Sequence, residues 1–256
     1  MRYFRRAERA LTTQAHDTAT PVKARLPRRG SAGTVRLTQR DIDGLMLCGE
    51  HGVVPFDLLA MALRVGEERV HSITARWRRA GFAETGRLGP GPGWCWLTRE
   101  GMTATGLGFP VVRPSLGRLA HTRAVLAAWV WMRDSEAWQR WQPWWESERR
   151  LRASTSAAGR GGHVPDAEVH WPSLDGCSYG GQLWAIEAEL TPKAAARTAR
   201  IMSELLTSVR YERVIYLTAP AARPVVLRSA ASLPPGERAR VVVRDLPDYA
   251  FAGEAR

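Results

Sequence analysis

The sequence predicts a mixed α+β protein, with α/β character in its second half, made of two folded parts behind a basic arm. Three observations lead there. Between residues 37 and 98, helical periodicity gives way to two strand-like segments around a Gly-Pro turn. From 121 to 244, apolar strands and amphipathic helices alternate. Residues 1–35 show little apolar content and no period. At 256 residues the chain is long enough for two real cores. The expected division is an arm at 1–35, a first domain at 36–108, a linker at 109–120 and a second domain at 121–256.

In the first domain, Thr38 can cap a helix whose apolar positions are Ile42, Leu45 and Met46. Residues 49–55 read as a break, followed by a helix at 56–63 and a third at about 67–80. Val70, Ile73, Trp77 and Ala80 recur at helical spacing and form a buried face; Arg69, Ser72, Arg76 and Arg79 form a second stripe. Strands are expected near 83–88 and 94–98, joined by Gly89-Pro90-Gly91-Pro92-Gly93. Three helices and then a hairpin is the order of a winged helix-turn-helix. Its third helix would offer Arg69, Arg76 and Arg79 to duplex DNA. The same stripe also suits a solvated helix face, and winged helices also contact proteins.

Residues 106–117, with Pro110 and Pro114, read as the linker. A helix is expected at 121–134, with Val125, Ala128, Trp129 and Met132 on one side. The Trp-rich stretch 129–145 suits a core, a dimer interface or a base-stacking surface. Residues 154–162 read as a mobile Ser/Ala/Gly loop. Strands follow at 163–171 and 183–190. A helix after Pro192 has Ala195, Ala199, Met202 and Leu206 as its core face, and Lys193, Arg197 and Arg200 line up beside it, a stripe that could hold a nucleic-acid backbone. Residues 213–218 read as a buried strand, and 225–228 and 241–244 as further strands. Helix, three strands, helix, strand is the order of the restriction-endonuclease-like PD-(D/E)xK core with its mixed central sheet.

Charge narrows the function classes. The net charge is +12 and the pI near 10.8, which favours a polyanionic partner. Residues 1–40 carry ten basic groups against Glu8 and Asp17, so +8 of the +12 sits at the start and about +4 in the rest. Cys48, Cys95 and Cys177 show neither zinc-ligand spacing nor a disulfide framework. The longest apolar run, 124–132, is about half a membrane span. A cytoplasmic protein with no membrane partner is the expectation.

The chemistry sits in the second domain. Among 37 basic residues, lysine occurs only at 23 and 193. Arginine is a fixed planar cation, whereas lysine is a compact charge whose pKa can move, so Lys193 suggests a task arginine cannot do. Lys193 closes Ile186-Glu187-Ala188-Glu189-Leu190-Thr191-Pro192-Lys193, where Glu187 and Glu189 share a strand face. Pro165-Asp166 opens the neighbouring strand. Singly these are ordinary surface features. Together they suggest Asp166, Glu187 and Glu189 around Mg2+ or Mn2+, because like charges this close need a cation between them. Lys193 would activate water or steady developing charge.

Residues from about 37 to 220 resemble the replication-relaxation proteins of plasmids and integrative elements in high-GC bacteria. The segments that carry the resemblance are Gly93-Trp94-Cys95-Trp96-Leu97-Thr98-Arg99-Glu100-Gly101, Pro165-Asp166, and Trp184-Ala185-Ile186-Glu187-Ala188-Glu189-Leu190-Thr191-Pro192-Lys193. The resemblance implies a winged helix joined to a nuclease-like domain, acting on double-stranded DNA in replication or relaxation. Plasmid replication proteins and a second copy of the chain, as a homodimer, are further expected partners. The chain departs from the nuclease pattern where Glu189 replaces the strand lysine. Lys193 on the following segment, or a Glu-x-Glu arrangement, would serve instead; alternatively the fold is kept for binding, as a non-catalytic regulator or replication accessory. Glu146 or Glu148 could add a ligand.

Overall fold

The computed structural model describes residues 36–157, 162–207 and 210–251. The arm expected at 1–35 lies outside them. The described residues form an α+β fold with two sheets. They divide into two compact units, one ending at Leu116 and the other beginning at Gly117. No described helix is long and apolar enough to cross a membrane.

The first unit runs α1 (Gln39–His51), β1 (Val53–Pro55), α2 (Phe56–Leu63), α3 (Glu67–Arg79), β2 (Ala83–Gly86), β3 (Trp94–Leu97) and α4 (Arg99–Thr105). Thr38 and Asp41 start α1 as a capping box, each side chain accepting the other's backbone N–H. The segment expected only to break the chain after α1 also supplies β1. Val53, Val54 and Pro55 pair with Trp96, Cys95 and Trp94, giving an antiparallel sheet in the order β1-β3-β2. All three residues of β1 are buried, so no alternation marked it in the sequence.

The inward face of α1 is rotated from the expected one. Leu45, Leu47 and Cys48 are buried, but Ile42 is exposed. The cause is Asp41, which turns inward and accepts from Trp77 Nε1 at 2.8 Å and from Arg76. Gly44 makes room for that tryptophan: a Cβ there would stand 2.4 Å from the Trp77 ring. Val70, Ile73 and Trp77 are buried on α3 as expected, with Thr74 beside them, whereas Ala80, expected on the same face, is the half-buried cap that ends the helix. The segment after Thr98 forms α4, pressed onto the chain before β2. A Cβ on Gly101 would lie 1.8 Å from the Phe82 carbonyl oxygen, which accepts the Thr98 N–H.

The second unit runs α5 (Leu116–Arg133), α6 (Glu136–Trp141), β4 (Trp144–Ser147), α7 (Glu148–Ala157), β5 (Ala167–His170), β6 (Leu183–Glu189), α8 (Ala195–Thr207), β7 (Arg213–Thr218), α9 (Arg223–Ala231), α10 (Pro235–Arg238), β8 (Val241–Asp245) and a 3-10 turn (Asp248–Phe251). The sheet order is β4-β5-β6-β7-β8. β4, β5 and β6 pair antiparallel; β6, β7 and β8 pair parallel. Parallel neighbours need a crossover, and α8 and α9 supply the two. This corrects residues 225–228, expected as a strand: they belong to α9, whose first turn accepts Pro224 because its N–H would have no helical partner there. Of the stretch 154–162, residues 154–157 continue α7 and 158–161 lie outside the described residues.

The sheet's core face packs on α8 and α9. Ala185, Val214 and Tyr216 meet Met202, Leu205, Leu206, Val226 and Ala230 there. The buried side of α8 is Thr198, Ile201, Met202, Leu205 and Leu206, rotated from the face expected through Ala195 and Ala199. The helix begins at Ala195, so Lys193 precedes it and does not share a helical stripe with Arg197 and Arg200. The strand expected from 163 begins only at Ala167. Pro165 has no N–H to give a ladder, and the Asp166 carboxylate takes the Ala188 N–H at 2.8 Å. Among the clustered tryptophans, Trp129, Trp138 and Trp145 are core, whereas Trp131 is 41% exposed.

Candidate functional site

The site follows from the alternation of β6. Ala185 points into the core between sheet and helices, so Glu187 and Glu189 extend along the same side. Burying them is costly, yet they are only 8% and 6% exposed. In register, Glu187 stands beside Tyr216 and Glu189 beside Thr218 on β7. Ala167 pairs with Ile186, which brings Asp166, one residue earlier, level with Glu187.

Each carboxylate has its own partner. Asp166 Oδ1 lies 2.9 Å from His121 Nε2, and its Oδ2 accepts the Ala188 N–H. Glu187 Oε1 lies 2.7 Å from His163 Nε2. Glu189 Oε2 lies 2.6 Å from Lys193 Nζ. The four residues singled out in the sequence thus fall in one neighbourhood, with two histidines beside them that sequence reasoning missed.

Electrostatics mark Glu187 as the strained member. Burial pushes its pKa up to about 7, and the nearby Asp166 charge adds to that, while His163 and Lys193 pull the other way. Hydrogen bonding to Asp166 raises the pKa of His121, and hydrogen bonding to Glu187 raises that of His163. Burial keeps the Tyr216 phenol protonated, and Glu187, Glu189 and Asp166 reinforce it. One phenol feels all three carboxylates. The three carboxylates form an all-oxygen donor set, which suits a hard divalent ion.

A second polar group lies on the same sheet. Glu146 and Glu168 are direct cross-strand partners on β4 and β5. His170 lies two residues beyond Glu168 on β5 and therefore on its side. Glu168 is 1% exposed and accepts from Arg210 and from the Tyr211 hydroxyl. Burial, and then that bond, hold the Tyr211 phenol protonated. Among the described residues, Glu146, Glu168 and His170 form a group of three whose ligand atoms all lie within 4.8 Å of one another. Glu148, the other glutamate considered as a further ligand, faces Arg118 at 3.4 Å and Arg152 at 2.6 Å. The step-of-two spacing of Glu168 and His170 is the sequence signal for this group. It is faint because the third member, Glu146, comes from the neighbouring strand β4.

In the first unit, α3 exposes Arg69, Arg78 and Arg79. Arg76 is half-buried and its guanidinium is joined to Asp41, so it shares in holding α1 to α3. Arg197 and Arg200 on α8 are exposed, and Arg200 pairs with Glu204 at 3.2 Å.

No family model matches the chain, and no curated protein matches it. Among solved structures, it is similar to the crystal structure of RV1404 from Mycobacterium tuberculosis, at 18% identity over 49% of this chain and 76% of that one. The TM-score of 0.25 is too low for that likeness to carry an argument.

Proposed function

We propose that the chain is a DNA-binding protein of a plasmid or integrative element, acting in replication or relaxation, with a metal-dependent endonuclease-type site in its second unit. The observation that carries this reading is the grouping of Asp166, Glu187, Glu189 and Lys193 at the end of one buried strand. The mixed sheet with crossovers α8 and α9 supports a PD-(D/E)xK core. The order of α1 to α3, with the sheet β1-β3-β2, supports a winged helix. In that reading α3 meets duplex DNA through Arg69 and Arg79, with Arg76 bracing the helix from behind.

Mg2+ or Mn2+ fits the donors present. Asp166 and Glu187 would hold it, with Glu189 as a third oxygen donor. When bound, such an ion lowers the pKa of a coordinated water and offsets charge on phosphate. The chain's own residues do the rest. His121 fixes the rotamer of Asp166, and His163 fixes that of Glu187. Lys193, held by Glu189 at the sheet end, offers a positive charge toward the phosphate.

A second reading has an observation of its own. Asp166, Glu187 and Glu189 each have a chain partner, and the strand position of the usual lysine holds Glu189. That arrangement suits a nuclease-like domain retained for binding. Nicking of supercoiled plasmid separates the two. The endonuclease reading expects nicks that require Mg2+ or Mn2+ and vanish in Asp166→Asn and Glu187→Gln, with DNA affinity kept. Unchanged DNA binding without any metal-dependent nick would leave the regulator.

A further inference from the structure

We propose that Glu146, Glu168 and His170 form a second cation site, for a divalent transition ion of the Zn2+ type, distinct from the one at Asp166, Glu187 and Glu189. The proposal goes beyond the nuclease reading and does not need it.

The first ground is placement. Glu146 and Glu168 stand directly opposite each other on paired strands. Like charges in that relation repel, and burial of Glu168 sharpens the repulsion. Arg210 offsets one of the two charges. The second ground is distance. His170 Nε2 lies 3.1 Å from Glu146 Oε2 and 3.1 Å from Glu168 Oε2. A metal with bonds of about 2.1 Å holds neighbouring ligand atoms about 3.0 Å apart in an octahedron and about 3.4 Å apart in a tetrahedron. The third ground is direction. Nε2 is shielded from solvent and lies in ion-pair range of both carboxylates, which against the opposing effect of burial together raise the His170 pKa. The three ligand atoms converge, and an ion bound among them would take the place of the proton that the two carboxylates favour on His170.

The surroundings fit as well. The Tyr211 hydroxyl and Arg210 hold the Glu168 carboxylate in place, as outer partners commonly hold a metal-binding carboxylate. The side chains of His170 and Glu146 are 37% and 17% exposed, so the group lies near the surface of the unit. One imidazole nitrogen with two carboxylate oxygens favours Zn2+ or Co2+ over Mg2+ or Ca2+.

The test uses the full chain carrying Asp166→Asn and Glu187→Gln, stripped of metal with a chelator and titrated with ZnCl2 by calorimetry. One Zn2+ should bind, and adding His170→Ala or Glu146→Gln should weaken it at least tenfold. Co2+ should give a visible absorption band that shifts when His170 is replaced, a readout that altered folding alone does not produce. Circular dichroism confirms that each variant is folded. Absence of Zn2+ uptake in the starting variant, or affinity that changes less than tenfold in both ligand variants, would overturn the site. Because the starting variant already lacks the nuclease carboxylates, failure here and failure of the nicking assay are separate results.

Discussion

Asp41 in the first unit and Glu187 in the second are both buried carboxylates, and their pKa values move in opposite directions. Burial would raise Asp41, but bonds from the Thr38 backbone and hydroxyl, Trp77 and Arg76 together hold it below its ordinary value. Burial also raises Glu187, and there the opposing His163 contact falls short, leaving it at about 7 beside another carboxylate. The difference separates two uses of a buried charge. Asp41 is satisfied by donors from α1 and α3 and ties those helices together. Glu187 has a single imidazole partner, which offsets burial and the neighbouring Asp166 charge only in part, so it holds its proton more tightly.

The sharpest way to break this comparison is to remove Asp41. Asp41→Ala leaves Trp77 Nε1 and the Arg76 guanidinium without their acceptor, and should cost about 3–5 kcal/mol. Hydrogen exchange should show protection lost across α1 and α3; normal protection there would mean the network is dispensable.

Next comes pH. The folded pKa of Glu187, about 7, exceeds its ordinary 4.5, so the folded chain binds this proton more tightly than the unfolded chain. Its contribution is favourable at low pH and is lost as pH rises from about 4.5 to about 7, an upper bound of roughly 3 kcal/mol. His163 shares one hydrogen bond with Glu187 and titrates with it as a pair, so its raised pKa belongs to this same fall and adds no separate one. Urea titrations at pH 5 and 8 should show Glu187→Gln flattening this fall. A variant with the parent's slope would place the titration elsewhere.

Gly101→Ala drives a methyl into the Phe82 carbonyl, and should cost about 2 kcal/mol, read as a lower urea midpoint. At the small end, Ile42→Ser should change stability by less than about 0.5 kcal/mol, because Ile42 is exposed. A large loss would restore the α1 face that periodicity alone suggested.

The legible parts of the sequence were those with strong local codes. Thr38 marked the start of α1, and Val70, Ile73 and Trp77 marked the inner face of α3. The alternation of Ile186, Glu187, Ala188 and Glu189 marked a strand with both glutamates on one side. The less legible parts depended on partners. Three buried residues in β1 carry no period. The Val-rich segment of α9 reads as a strand until the parallel pairing of β7 with β8 demands a crossover. His121 and His163 belong to no motif, and each matters only because the fold sets it within 3 Å of a carboxylate.

By itself the sequence determined which residues could carry chemistry: short-range pattern decides helix, strand and the side of a strand, because side-chain direction repeats every 3.6 or 2 residues. Tertiary structure alone decided how the charges are matched. Whether a carboxylate meets an arginine, an imidazole or another carboxylate depends on strands and helices distant in the chain. Coulomb energy depends on separation in space and on exclusion of water, and neither is written in local order.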